Sequence, residues 1–348
     1  MSKTLMKGNE ALAEAAVRAG CRFFFGYPIT PQSEIPEYMA RRMPEVGGTF
    51  IQAESEVAAI NMAYGAASAG KRVMVTSSSP GISLMQEGLS YLAASELPCV
   101  VVNIMRGTPG LGGIGPSQQD YFQAVKGGGH GDYRNIVLGP STVQEMVDCV
   151  ELAFDLAFKY RNPVCILGDG ILGQMMEPVL FPEMYASLGD PDWAVGNFTA
   201  KGKRVIHSCY LNNEDLEKLV HKLFDKYETV SAQEVRFSDF QCRDASIVFA
   251  AFGTSARIAK QAVQVLRQKD IPAGLLQPLT LWPFPYRAFK EMQNLRAVIV
   301  VEMNMGQMVE DVRLALDSAA PVYKYGRTGG MVPSAKALVE MAEKIHLE

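Results

Sequence analysis

Across residues 1–170, short apolar runs rich in Val, Ile and Phe alternate with Ala-rich segments whose apolar residues recur at helical spacing. The pattern predicts helices over 9–19, 31–43, 56–69, 83–95 and 142–160, and strands over 22–26, 50–53, 72–76, 99–105, 136–138 and 163–167. Asn9 stands where a helix N-cap belongs, Gly20 and Gly70 where helices stop, and Pro31 in a first helical turn. Several strands are apolar at every position, as strands covered by helices on both faces must be. Together these features predict an α/β fold with a mostly parallel sheet. From 171 to 244 the rhythm fades, and only 213–227 reads as a clear helix, so this span is expected to be a connector. A second series opens at Ala245, with SIVFAAFG as a strand, a helix over 254–268, strands AGLLQPL and AVIVVEM, and a last helix near 334–344. The expected organisation is thus a parallel-sheet domain over 1–170, a connector over 171–244 and a smaller α/β domain over 245–348.

Composition narrows the functional classes. Lys and Arg number 33 against 37 Asp and Glu, a formal charge of −4, so the chain lacks the basic footprint of a nucleic-acid binder. Mean hydropathy is +0.03, no run reaches the roughly 18 apolar residues of a membrane span, and the N-terminus has no signal-peptide core. A cytoplasmic protein without membrane partners is expected. The cysteines Cys21, Cys99, Cys149, Cys165, Cys209 and Cys242 are scattered, with no CxxC pair, so no iron–sulfur cluster or other metal site is expected on this chain.

Three segments fall just after predicted strands, where open parallel sheets collect ligand-binding residues. In GYPITPQS, Thr30 precedes Pro31 and presents a hydroxyl that serves either a helix cap or a ligand. In QAESEVAAINMAYG, Glu54 and Glu56 open a small-residue helix, where acids complement the macrodipole with no further purpose needed, while the small residues allow another surface to approach. In RGTPGLGGIGPSQQDY, Arg106 follows an apolar strand and can hold a carboxylate with two hydrogen bonds. The glycines after it lack both the Walker ending and GxGxxG spacing. His130 and Asp132 lie in the glycine-rich stretch KGGGHGDY, and a lone histidine is more often structural than catalytic.

Taken together, YPITPQS, Glu56 with Gly65 nine positions on, SSSPGISLMQEGLSYL and RGTPGLGGIGPSQQDYFQAVKGGGHGDYR resemble the α subunits of 2-oxoacid:ferredoxin oxidoreductases. The resemblance spans nearly the whole chain, and the glycine-rich block is most similar to members acting on 3-methyl-2-oxobutanoate, also called 2-ketoisovalerate. It implies a thiamine-diphosphate pyrimidine-type domain followed by a transketolase-C-terminal-like domain. It also singles out Glu56 over Glu54, because the family's glutamate precedes a helical Gly by nine positions. That carboxylate would favour the imino tautomer of the aminopyrimidine, whose nitrogen then removes the thiazolium proton. Thr30 matches a family threonine beside the reacting centre and Arg106 a family arginine that anchors the substrate carboxylate. The same resemblance implies a β subunit holding the diphosphate and Mg²⁺, a γ subunit, a ferredoxin-like iron–sulfur subunit, ferredoxin as electron acceptor, and coenzyme A as acyl acceptor.

Other readings stay open at this stage. A 2-oxoglutarate enzyme of the same family would need a cation for the distal carboxylate, whereas a branched-chain enzyme needs an apolar pocket. A non-catalytic scaffold would keep the fold but would not require Thr30, Glu56 and Arg106 together. A self-sufficient decarboxylase would use Gly168-Asp169-Gly170 and Asn197, with 26 residues between, for Mg²⁺. The irregular surroundings of Asn197 argue against that last reading.

Overall fold

The apolar run Cys99–Met105, buried at every position, becomes a strand with neighbours on both sides and helices on both faces. The computed structural model describes residues 3–185, 189, 191–195 and 204–347. Its elements run β1 (Thr4–Lys7), α1 (Gly8–Arg18), β2 (Phe23–Gly26), α2 (Glu34–Glu45), β3 (Thr49–Gln52), α3 (Glu56–Ser68), β4 (Val73–Ser77) and α4 (Ser79–Ala94). They continue through β5 (Cys99–Met105), α5 (Tyr121–Val125), β6 (Ile136–Leu138), α6 (Val143–Tyr160), β7 (Pro163–Asp169), α7 (Gly170–Gln174), β8 (Met176–Val179), α8 (Asn213–Gln233) and β9 (Phe237–Phe240). The remainder comprises β10 (Ile247–Ala250), α9 (Gly253–Arg267), β11 (Ala273–Pro278), β12 (Thr280–Trp282), α10 (Tyr286–Lys290), β13 (Ala297–Glu302), α11 (Met308–Leu316), β14 (Val322–Gly326) and α12 (Ala335–Leu347).

The first sheet has the order β12-β6-β7-β5-β4-β2-β3 and the second β14-β13-β10-β11-β9. Within each sheet the βα strands are parallel; only β12 and β9 run against their neighbours. The sheets interlock across the span boundaries expected from the sequence. Strand β9, from 171–244, joins the second sheet, and β12, from beyond 245, joins the first. Alternation along the strands divides the core. Val73, Val75 and Val101 point into one apolar cluster, with Ala59, Leu89 and residues of the second sheet such as Val248 and Ala250. Met74, Val100, Val102 and Ile104 point the other way, against α1, α2 and α6. Ile247, Phe249 and Ala251 pack against α9 and α12.

Several element starts differ from the sequence reading. Asn9 is not an N-cap. It lies buried inside α1, where its Nδ2 donates to Pro31 O at 2.9 Å and Glu34 Oε2 at 2.8 Å, and Lys7 takes the cap position. The helix expected from Pro31 starts at Glu34, because residues 27–33 form a loop that carries Pro31 across to Gly170. The helix expected from Ser83 starts at Ser79, with Pro80 in its first turn, where a missing N–H costs nothing. The short antiparallel pair β1–β8 is absent from the sequence reading, as four-residue strands carry little periodicity. No described helix is long and apolar enough to cross a membrane.

Candidate active site

The parallel strands β3, β2, β4, β5 and β7 all end at one edge of the first sheet, and the turns that follow them gather the polar residues. Glu56 opens α3, whose start is capped by Ser55 Oγ accepting from Ala58 N at 3.2 Å. The residue is 5% exposed, yet among the described residues its carboxylate has one side-chain hydrogen-bond partner, Ser77 Oγ, at 3.5 Å. Gly81, in the first turn of α4, lies directly against this carboxylate: a Cβ there would collide with both Ser77 Oγ and Glu56 Oε1. The next hydroxyl, Ser78 Oγ, is wholly buried without a partner. A buried acid with unused acceptor capacity, roofed by a glycine, fits a planar polar group better than a closed structural contact.

Arg106 follows β5 and is 8% exposed. Its guanidinium donates from one terminal nitrogen to Thr30 O at 3.1 Å and from the other to Leu111 O at 3.0 Å, while Nε is buried without a partner. Thr30 and Arg106 therefore meet. Thr30 is itself exposed, and its hydroxyl makes no hydrogen bond among the described residues; it does not cap α2. Glu56 joins the pair through the turn 77–81, since Ser79 Oγ accepts from Arg106 N at 3.1 Å.

Asp120, which sequence reasoning did not single out, completes this turn. Its Oδ2 accepts from Ser79 Oγ at 2.6 Å and Asn103 Nδ2 at 2.8 Å, and Asn103 Oδ1 accepts from Ser79 N at 3.0 Å. Burial raises the Asp120 pKa, and the hydrogen bonds from Ser79 and Asn103 partly offset the rise. Within a polar loop run nothing in the sequence marks Asp120 as buried. Residues 77–81 follow a strand and end in Pro-Gly, which was a legible signal.

His130 lies elsewhere. It is exposed, 3.5 Å from Ser90 Oγ and edge-on to Tyr91, about 16 Å along α4 from Ser79 at roughly 1.5 Å per residue. Asp169 is 1% exposed and spends both oxygens on the fold: Oδ1 accepts from Ile171 N, Leu172 N and Thr254 Oγ1, and Oδ2 from Thr254 N. Burial raises its pKa against these bonds. Asn197 lies outside the described residues. Among the described residues no group of three or more His, Cys, Asp and Glu is placed to hold a metal ion. Burial pushes the thiols of Cys21 and Cys165 up to about 12.

Two matches to known families divide the chain much as the sheets do. Residues 14–204 match the family described as pyruvate flavodoxin/ferredoxin oxidoreductase, thiamine diphosphate-binding, and residues 245–338 match pyruvate:ferredoxin oxidoreductase core domain II. The chain belongs to the 2-oxoacid:ferredoxin oxidoreductases and is one subunit of such an oxidoreductase. Among relatives, it is 48% identical to the ketoisovalerate oxidoreductase subunit VorB of Methanothermobacter marburgensis, over 99% of this chain and 98% of that one. Among solved structures, it superposes on a 2-oxoglutarate:ferredoxin oxidoreductase from Magnetococcus marinus, bound to 2-oxoglutarate, coenzyme A and succinyl-CoA, with a TM-score of 0.88 and 28% identity. That match covers 99% of this chain and 65% of the other. A split-gene transketolase matches at a TM-score of 0.62 over 98% of both chains; at 14% identity it shows the shared fold.

Proposed function

We propose that this chain supplies the pyrimidine side and the carboxylate anchor of a thiamine-diphosphate site that a β subunit completes, in an enzyme oxidising 3-methyl-2-oxobutanoate to its acyl-CoA. The observation that carries the proposal is Glu56: a buried carboxylate under Gly81, with a single long side-chain hydrogen bond among the described residues. When bound, thiamine diphosphate supplies the nucleophilic carbon and the electron sink that decarboxylation of a 2-oxoacid requires. Glu56 would accept a hydrogen bond at the pyrimidine N1′ and so favour a proton there. Arg106, its terminal nitrogens oriented by Thr30 and Leu111, offers its guanidinium to the substrate carboxylate. The free hydroxyl of Thr30 donates to the 2-oxo oxygen or to the cofactor.

The β subunit, holding diphosphate and Mg²⁺, docks on α3. This helix is apolar or small nearly all round, which suits burial on every side. Yet it exposes Val57, Met62 and Gly65, next to exposed Ile51 and Leu84. A Cβ on Gly65 would meet nothing within 4 Å, which leaves room for close approach by a partner. Iron–sulfur clusters, a γ subunit and the route to ferredoxin belong to the other subunits, in keeping with the scattered, mostly buried cysteines here.

The branched-chain substrate rests on the 48% identity to a ketoisovalerate oxidoreductase subunit. Its test is CoA-dependent viologen reduction by the assembled complex with 3-methyl-2-oxobutanoate, 2-oxoglutarate and pyruvate. The highest kcat/KM is expected with the branched acid, and a maximum with 2-oxoglutarate would overturn the substrate assignment.

A further inference from the structure

We infer that the second α/β unit sets the geometry of the carboxylate anchor, with Gln119 and the Gly329–Gly330 turn as positioning residues for Arg106. The inference rests on the reading of Arg106 given above. The loop 107–116 that bounds the Arg106 guanidinium contains five glycines in ten residues, two of them, Gly110 and Gly112, with positive φ. Its larger side chains point into solvent, with Leu111 83% and Ile114 68% exposed, so apolar packing does not hold it. Internally it is tied by Gly107 N to Gly115 O at 2.9 Å and Gly113 N to Gly107 O at 2.8 Å. A loop of this composition has many alternative shapes, and each would move Leu111 O, the acceptor that orients one arm of the guanidinium.

Contacts from the second unit select one shape. Gln119 Oε1 accepts from Thr108 N at 2.8 Å and Ser117 Oγ at 3.0 Å, pinning both ends of the loop. Its Nε2 donates to Thr328 Oγ1 at 3.2 Å, and its backbone oxygen accepts from Gln307 Nε2 at 2.7 Å. Thr328 and Gln307 both belong to the second unit, so one side chain and its own carbonyl join the loop to it twice. Behind the loop the backbone at Gly330 touches Gly115: a Cβ on Gly115 would lie 2.8 Å from Gly330 Cα, and one on Gly330 3.2 Å from Gly115 Cα. Gly329 and Gly330 have φ of +65° and +84°, a conformation in which side chains other than glycine's are strained. The turn that backs the loop thus depends on glycine for both its shape and its closeness.

The role can be separated from general stability in the assembled enzyme. Gln119→Ala and Gly330→Ala are each expected to raise KM for 3-methyl-2-oxobutanoate about tenfold, with kcat within about twofold and KM for coenzyme A unchanged. Gln119→Glu keeps an acceptor for Thr108 N and can accept from the Thr328 hydroxyl, so it should restore a KM near that of the unaltered enzyme. Arg106→Ala, measured alongside, must raise the same KM; if it does not, the reading of Arg106 falls. A raised KM in Arg106→Ala with an unchanged KM in both Gln119→Ala and Gly330→Ala overturns the positioning inference alone. So does a parallel fall of kcat, both KM effects and melting temperature in those two variants, which would mark a purely structural role.

Discussion

Buried carboxylates fall into two kinds, separated by what their oxygens touch. Asp169 and Glu302 are each 1% exposed and saturated: Asp169 by three backbone N–H groups and Thr254 Oγ1, and Glu302 by Asn304 Nδ2 and the backbone N–H groups of Gln307, Met308 and Val309. Glu56, nearly as buried, has the long contact to Ser77. The saturated acids stabilise helix starts, whereas the unsaturated one retains acceptor capacity for a ligand. Glu56→Gln is therefore expected to lower turnover of the assembled enzyme by about 100-fold or more while leaving urea stability nearly unchanged. Asp169→Asn should do the reverse, because an amide nitrogen would face a backbone N–H in place of an acceptor, at a cost of about 1–3 kcal/mol. Paired urea titrations and viologen assays read both, and a Glu56→Gln enzyme with full turnover would contradict the site. In the sequence the two acids look alike, each just after a strand. Only the spacing to Gly65, given the resemblance, separated Glu56; half of what saturates Asp169 comes from Thr254, 85 positions away.

At the scale of elements, what periodicity and burial could dictate was legible. The strands Cys99–Met105 and Ile136–Leu138 lie where the apolar runs place them, and α6 starts one residue past the expected 142, capped by Thr142 Oγ1 accepting from Glu145 N. What depended on tertiary partners was not: Asn9 turned inward because Pro31 O and Glu34 meet it, and the expected helix 213–227 runs on to Gln233. The extension delivers Glu234 to α6. Burial would raise the pKa of Glu234, but hydrogen bonds from Lys159, Tyr160 and Arg236 hold it down to about 2. A depressed folded-state pKa contributes stability that is complete above the unfolded value near 4.5 and disappears as pH falls toward 2. The shift corresponds to about 3 kcal/mol. Glu234→Gln should accordingly lose most of that margin at pH 7 in urea unfolding, and the gap to the unaltered chain should narrow between pH 4.5 and pH 2. A gap independent of pH would show that the ion pairs at this joint contribute little.

Across the whole molecule, the two sheets share one apolar cluster and several buried polar ties. Gln118 donates to Phe252 O at 2.7 Å and accepts from Ser255 Oγ and Met303 N. Asp311 accepts from Tyr121 and Tyr286 hydroxyls and from Lys126. The sequence showed two βα series but not this joint, because glutamines and a tyrosine in a loop run carry no sign of their distant partners. The joint holds the edge of the first sheet that carries Glu56, Thr30 and Arg106, beside the exposed residues of α3, and the proposed function makes this edge half of a site. The most direct test of that claim is 2-oxoacid- and CoA-dependent viologen reduction under anaerobic conditions, with added Mg²⁺ and thiamine diphosphate, by the purified chain alone and by the chain co-expressed with its partner subunits. Activity in the complex alone is the predicted result; turnover by the isolated chain would contradict a divided site and return Asp169 and Asn197 to consideration as its metal-binding half.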